Sequence, residues 1–152
     1  MRRTYKCIVG AISLFTVPGH ALAADERFDL ICSGTIKSEI IGDKPKYEAY
    51  SYHFRLDLSN MIYCYTESGK SCNNLKRILS VSETNISLKN VDKIEGNEII
   101  KNVEFFNRST GIHYAHYVSK YTDRTAKMLA IIWEGSCDKM PFSGFPMFEQ
   151  KF

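Results

Sequence analysis

Glu48-Ala49-Tyr50-Ser51-Tyr52-His53-Phe54-Arg55-Leu56-Asp57-Leu58 is the stretch that decides the fold. Tyr50, Tyr52, Phe54, Leu56 and Leu58 occupy every second position, and Ser51, His53, Arg55 and Asp57 occupy the positions between them. Side chains on a strand alternate between faces, so this period of two describes an antiparallel strand with one face in a core and one in water. No window from Ala24 onward carries convincing helical periodicity over three turns.

Working outward, further strands are expected from Phe28 toward Ile36, Met61 to Tyr65, Lys76 to Val81, Asn85 to Leu88, Glu98 to Phe106, Ile112 to Tyr121 and Lys127 to Cys137. Turn residues separate them. Ser59-Asn60 makes one turn; Asn107-Arg108-Ser109-Thr110-Gly111 makes another, with Gly111 free to take a positive φ in a bulged hairpin. The last strand is apolar on both faces, Leu129, Ile131 and Trp133 on one and Met128, Ala130 and Ile132 on the other, so it is expected to be central or covered. About eight strands on short connections predict an all-β domain, either a single antiparallel barrel or a two-sheet sandwich.

Residues 1–23 have the form of a signal peptide. Arg2, Arg3 and Lys6 precede an eleven-residue, mainly apolar run from Cys7 to Val17, which Pro18-Gly19 breaks before Ala21-Leu22-Ala23. That run is too short for a membrane-spanning helix, which needs about 20 apolar residues. Cleavage is expected before Ala24, leaving an antiparallel β domain over 24–139 and an irregular aromatic tail over 140–152. The tail holds Phe142, Phe145, Phe148 and Phe152, but Gly144 and Pro146 oppose a regular helix or an interior strand. Two of its rings are expected to lie on an open end or edge of the barrel. An outer-membrane barrel is disfavoured because Pro146 and Gln150 interrupt the terminus and several strands fall short of the ~9–11 residues needed to span.

The whole chain carries 20 Lys and Arg against 17 Asp and Glu; without Arg2, Arg3 and Lys6 the two classes are equal at 17. A neutral domain exerts no general pull on nucleic acid or anionic lipid. Of five cysteines, Cys7 leaves with the leader, and four remain: Cys32, Cys64, Cys72 and Cys137. An even set in an exported chain predicts two disulfides, chosen as Cys64–Cys72 and Cys32–Cys137. No Cys-x-x-Cys pair suggests zinc or redox chemistry. The destination is the periplasm or the exterior.

No motif announces catalysis, and no metal or cofactor site is predicted. His113 and His116 stand at an odd spacing, on opposite faces of a strand. His53, His113 and His116 read as unrelated surface or half-buried residues, and Asp29, Asp57, Glu104 and Glu134 as solvated strand carboxylates. Asn85-Ile86-Ser87 and Asn107-Arg108-Ser109 match the glycosylation pattern, a short signal. Binding residues are sought instead among Tyr65, Tyr114 and Tyr117, whose rings offer a flat apolar face with a polar tip. The loop carrying Glu67, Ser68 and Lys70, bridged at its base, would form a rigid polar knob for insertion into a partner.

Phe28-Asp29-Leu30-Ile31-Cys32-Ser33-Gly34, Asn107-Arg108-Ser109-Thr110-Gly111 and Cys137-Asp138-Lys139-Met140-Pro141-Phe142-Ser143-Gly144-Phe145-Pro146 together resemble a group of small exported alphaproteobacterial proteins. This resemblance implies export and a β fold. Thr110-Gly111-Ile112-His113-Tyr114 is also similar to the Ser-Gly-x-x-Tyr inhibitory motif of periplasmic lysozyme inhibitors, with Thr in place of Ser. The expectation is an exported, non-enzymatic binding protein of the bacterial envelope, in one version an inhibitor of a glycan-degrading enzyme. Its partner would be an envelope protein or a glycan. A lipocalin-like carrier of an apolar ligand and an exported hydrolase without a recognisable motif are the alternatives.

Overall fold

The computed structural model describes residues 26–67, 72, 74–121 and 127–145. The expected leader, Ser68 and Lys70 of the bridged loop, and Phe148 and Phe152 of the tail lie outside the described residues. The described chain is all-β, with nine strands: β1 (Arg27–Ile40), β2 (Lys46–Asp57), β3 (Ile62–Glu67), β4 (Lys76–Arg77), β5 (Ser80–Val81), β6 (Asn85–Glu95), β7 (Glu98–Asn107), β8 (Ile112–Tyr121) and β9 (Leu129–Pro141). They form one curled antiparallel sheet, a half-barrel, in the order β4-β3-β2-β1-β9-β8-β7-β6-β5.

Two meanders make this sheet, β1 to β4 and β5 to β9, and the β1–β9 pair joins them. β9, expected to be central or covered, is therefore at the centre. Cys32 and Cys137 face each other across that seam and are bonded, with Cα atoms 4.0 Å apart. Cys137 turns its amide away, to Gly111 O at 2.8 Å, which makes the cysteines a non-hydrogen-bonded pair, the geometry in which opposed side chains stand closest. A disulfide closing ~100 residues removes about 4.7 kcal/mol of denatured-chain entropy, against less than ~3 for a very short loop. The Cys64–Cys72 bridge, eight residues apart, is of the short kind.

The concave face holds the core. Tyr50, Phe54 and Leu56 of β2 are buried there with Phe28 and Leu30 of β1, Tyr63 of β3, Ile86 and Leu88 of β6 and Phe106 of β7. The alternation read in β2 is thus observed, with Ser51 exposed on the other face. At the centre, one row of paired residues crosses five strands: Tyr50, Gly34, Gly135, His113 and Phe106. Gly135 leaves the room that the Tyr50 hydroxyl occupies, and Gly34 lets the β9 backbone come close. A Cβ on Gly135 would stand 2.5 Å from Tyr50 Oη and 2.2 Å from Ser33 O; one on Gly34 would stand 2.1 Å from Glu134 O.

Four expectations change. Lys76 to Val81 is two strands, because the chain bends at Ile78-Leu79 and crosses from one sheet edge to the other. Ile78 N donates to Met61 O beside β3, and Leu79 N donates to Ser87 O of β6, at 2.8 and 2.9 Å. The half-barrel is stitched at that end and open at the other. Secondly, β6 runs seven residues past Leu88, through polar sequence, because a two-residue Gly96-Asn97 turn folds it back on β7. Gly96 has φ +58° and Asn97 an ordinary φ, the type II′ pattern. Thirdly, β9 extends past Cys137 to Pro141, whose missing N–H falls on the side where β9 has outrun β8 and is an edge.

The fourth change concerns the tail. Its described residues, 142–145, lie over the convex face of β1 and β2 rather than on an end or edge. Ser143 N donates to Asp29 Oδ1 at 3.3 Å, and Arg55 Nε donates to Ser143 Oγ at 2.9 Å. Phe142 and Phe145 stack edge to face at 5.2 Å, with the Arg27 guanidinium 5.8 Å from the Phe142 ring.

Gly135→Ala is expected to cost about 3 kcal/mol or more, since overpacking here meets backbone as well as a ring. A urea-denaturation midpoint equal to that of the parent would show that the seam tolerates a methyl group. Cys32→Ala with Cys137→Ala should lower stability more than Cys64→Ala with Cys72→Ala, as measured by the same unfolding transitions.

Candidate functional site

Four side chains on the concave face form a chain of polar contacts. Tyr50 Oη lies 3.0 Å from His113 Nδ1, and His113 Nε2 lies 3.4 Å from Glu104 Oε1. Lys89 Nζ lies 2.7 Å from Glu104 Oε2. The carboxylate requires the proton on Nε2, which leaves Nδ1 of the neutral ring to accept from the Tyr50 hydroxyl. His113 is 1% exposed and Glu104 6%, so the expectations of an unrelated half-buried histidine and a solvated carboxylate are both corrected. Asp29 and Asp57 are also buried. Asp29 receives His53 Nε2 at 2.7 Å on the convex face, and Asp57 accepts from Asn60 N and Nδ2 in the β2–β3 turn. Glu134 is exposed, as expected.

A bulge brings Lys89 to the site. The β6–β7 register runs Ser87 to Phe105 and then Lys89 to Glu104, so Leu88 is an extra residue in the ladder. An extra residue inverts the alternation beyond it. Ile86 points inward before the bulge, and Lys89, which strict alternation would send outward, points inward after it and meets Glu104. Burial raises the energy of the Glu104 carboxylate, but the His113 hydrogen bond and the Lys89 charge outweigh it and hold the group below its ordinary value. Oε2 receives no well-aligned hydrogen bond among the described residues, so the ammonium charge is its compensation.

This arrangement provides no activated nucleophile. Burial, with Tyr52, Glu104 and Glu134 adding negative potential, pushes the Tyr50 phenol up to about 12. A nucleophilic or basic tyrosine needs the opposite shift. Both His113 nitrogens are occupied. The same chain of contacts instead fixes the floor of a groove of about 130 Å³ that opens toward the unstitched end. Tyr52, Tyr65, Tyr117 and Trp133 supply rings to this groove; Lys89, Asn102 and Glu104 supply polar groups. Tyr52 packs 5.7 Å from Tyr65, and the Lys76 ammonium stands 4.3 Å from the Tyr65 ring. Burial and the Glu67 carboxylate raise the Tyr52 phenol, while a hydrogen bond from the Trp133 indole lowers it in part.

Of the candidate binding residues, Tyr65 and Tyr117 come together in this groove. Tyr114 projects from the opposite face of β8, 5.4 Å from Phe105, and does not join them. Glu67 ends β3 at the open end, paired in register with Tyr52. His113 and His116 are on opposite faces, as their spacing requires. Trp133, Lys89, Asn102, Glu104 and His113 were not among the expected site residues. The inward parity of Trp133 is readable in the sequence; the inward turn of Lys89 is not, because nothing in Ser87-Leu88-Lys89 marks a bulge. No family model, curated protein or solved structure matches the chain.

Glu104 stabilises the fold above the ordinary carboxylate range and ceases to do so as pH falls through its depressed value. Tyr50 acts at the other limb: its stabilising effect is complete below pH about 10, where free phenols ionise. It declines as the pH rises from there to about 12. A denaturation midpoint measured against pH should therefore fall at both extremes. Glu104→Gln should flatten the acid limb and cost about 1–3 kcal/mol at neutral pH. Tyr50→Phe should remove one late-titrating phenol from an ultraviolet titration, leaving buried Tyr63 as the other, and cost ~1 kcal/mol for the lost hydrogen bond.

Proposed function

We propose that this protein is an exported, non-enzymatic binding protein of the bacterial envelope, whose open groove accepts a segment of glycan. The carrying observation is the interleaving of aromatic rings with polar groups around the groove: Tyr65, Tyr117 and Trp133 beside Asn102, Lys89 and Glu104. A sugar ring has an apolar C–H face and an equatorial belt of hydroxyls. Aromatic faces suit the first, and mixed donors and acceptors suit the second. Two disulfides support residence in an oxidising compartment, and the leader-like residues 1–23 support export. Among the described residues no helix is long and apolar enough to cross a membrane. The rigid floor supports binding with little loss of ordering entropy.

Inhibition of a glycan-degrading enzyme is a second reading, favoured by the hairpin that carries Thr110-Gly111. Asn107 Oδ1 accepts from Ser109 N and Thr110 N at 3.0 Å each, and Gly111 has φ +69°. Ser109 and Thr110 are exposed at the tip of this pinned turn, where they would meet an enzyme cleft.

Trp133 is the chain's single tryptophan, which makes the groove self-reporting. Titration with soluble peptidoglycan tetrasaccharides should change its fluorescence saturably. Tyr117→Ala and Tyr65→Ala should each weaken binding by ~1 kcal/mol, about fivefold. An unchanged emission with peptidoglycan, chitin and cellulose oligosaccharides alike would refute the glycan reading. Inhibition of a muramidase by the oxidised protein, lost on Thr110→Ala but kept in Tyr117→Ala, would select the second reading.

A further inference from the structure

The stitched end of the half-barrel contains a second cavity, on the far side of the Phe54, Phe106 and His113 layer from the groove. Its volume is about 220 Å³. Phe28, Leu30, Ile86 and Phe106 form an apolar floor, and Arg108 and Lys139 stand at the mouth. Among the described residues no carboxylate lines it, and neither cation belongs to an ion pair.

Both cations are held in place. Arg108 N donates to Thr84 O at 2.7 Å and Nη1 to Ser82 O at 2.7 Å, which fixes the β7–β8 turn against the segment before β6. Four guanidinium N–H groups remain for a ligand. Lys139 Nζ sits 4.5 Å from the centroid of Phe28, so its charge lies at the rim of the apolar floor. Two fixed positive charges without counter-charge, over four apolar side chains, complement a ligand with an anionic head and an apolar body. A hydrated inorganic anion would leave the floor unfilled, and a neutral hydrocarbon would leave the cations unpaired. The space exceeds the ~150 Å³ apolar cavity that accepts benzene, so it admits more than a six-carbon body.

We propose that this cavity is a binding site for a medium-chain aliphatic carboxylate, its chain against Phe28, Leu30, Ile86 and Phe106 and its head between Arg108 and Lys139. The site is separate from the glycan groove and does not depend on the function assigned to it. Preorganisation lowers the ordering cost of binding, and charge-assisted hydrogen bonds to the head set its selectivity.

Calorimetric titration of the intact, oxidised protein with octanoate, 1-octanol and octylammonium tests the proposal. Octanoate should bind tightest and weaken with added salt, and octylammonium should not bind. Arg108→Gln and Lys139→Gln, both at exposed positions, should each weaken octanoate about tenfold, the loss of one hydrogen bond to a charged group. Methyl resonances of Leu30 and Ile86 should shift on binding, while Trp133 emission stays constant. Equal affinity for octanoate and octanol, octanoate affinity unchanged in the double variant, or no octanoate binding at millimolar concentration would each overturn the site.

Discussion

The hydrogen bond from the Tyr50 phenol to His113 is the contact on which the concave face is organised. It joins β2 to β8 across the two strands between them, and it has room because Gly135 has no side chain in its way. The seam where the meanders meet is thus held twice, by a covalent bond between Cys32 and Cys137 and by a phenol whose hydroxyl sits over Gly135. His113 then passes the constraint to Glu104 and Lys89, and its ring packs 5.0 Å from Phe106 and 5.2 Å from Phe54. A buried histidine is costly unless both nitrogens are used, and here both are.

That layer of rings divides the concavity. Toward the open end, the floor is amphipathic and the rim aromatic; toward the stitched end, the floor is hydrocarbon and the rim cationic. One sheet therefore carries two pockets of contrasting chemistry, separated by Phe54, Phe106 and His113. Neither pocket requires a mobile lid, because the floor of each is secondary structure. The convex face has a different logic. There Asp29 is sealed by His53, Arg55 and the returning tail, so its burial serves the docking of Ser143 and the two phenylalanines.

The period-two pattern of Tyr50 to Leu58 was sufficient for the class of fold, and the apolar pattern on both faces of Leu129 to Trp133 marked β9 as central or covered. Cysteine parity and loop length led to the observed pairing. What the sequence concealed depends on register. Gly34 and Gly135 have meaning only as opposed residues, and a one-dimensional reading does not reveal that they face each other. Lys89 reverses its direction at a bulge without a sequence signature. Asp29 and Glu104 look solvated because strand carboxylates usually are; their burial follows from a tail and a facing strand far away in the chain. Gly96-Asn97 was legible as a tight turn, and recognising it would have extended β6 into the polar stretch that follows Leu88.

The bend at Ile78-Leu79 has a consequence for the solution behaviour of so strand-rich a chain. An open sheet normally offers two unpaired borders to which another polypeptide can add, the route to fibrils and exchanged oligomers. Here each border strand is only two residues long, and the two are consecutive in the chain, so the sheet's own backbone covers the first rungs of both borders. The uncovered remainder of β6 carries Asp92, Lys93 and Glu95, charges that oppose stacking of like copies. The accessible hollow and the shortened borders thus come from the same bend in the chain.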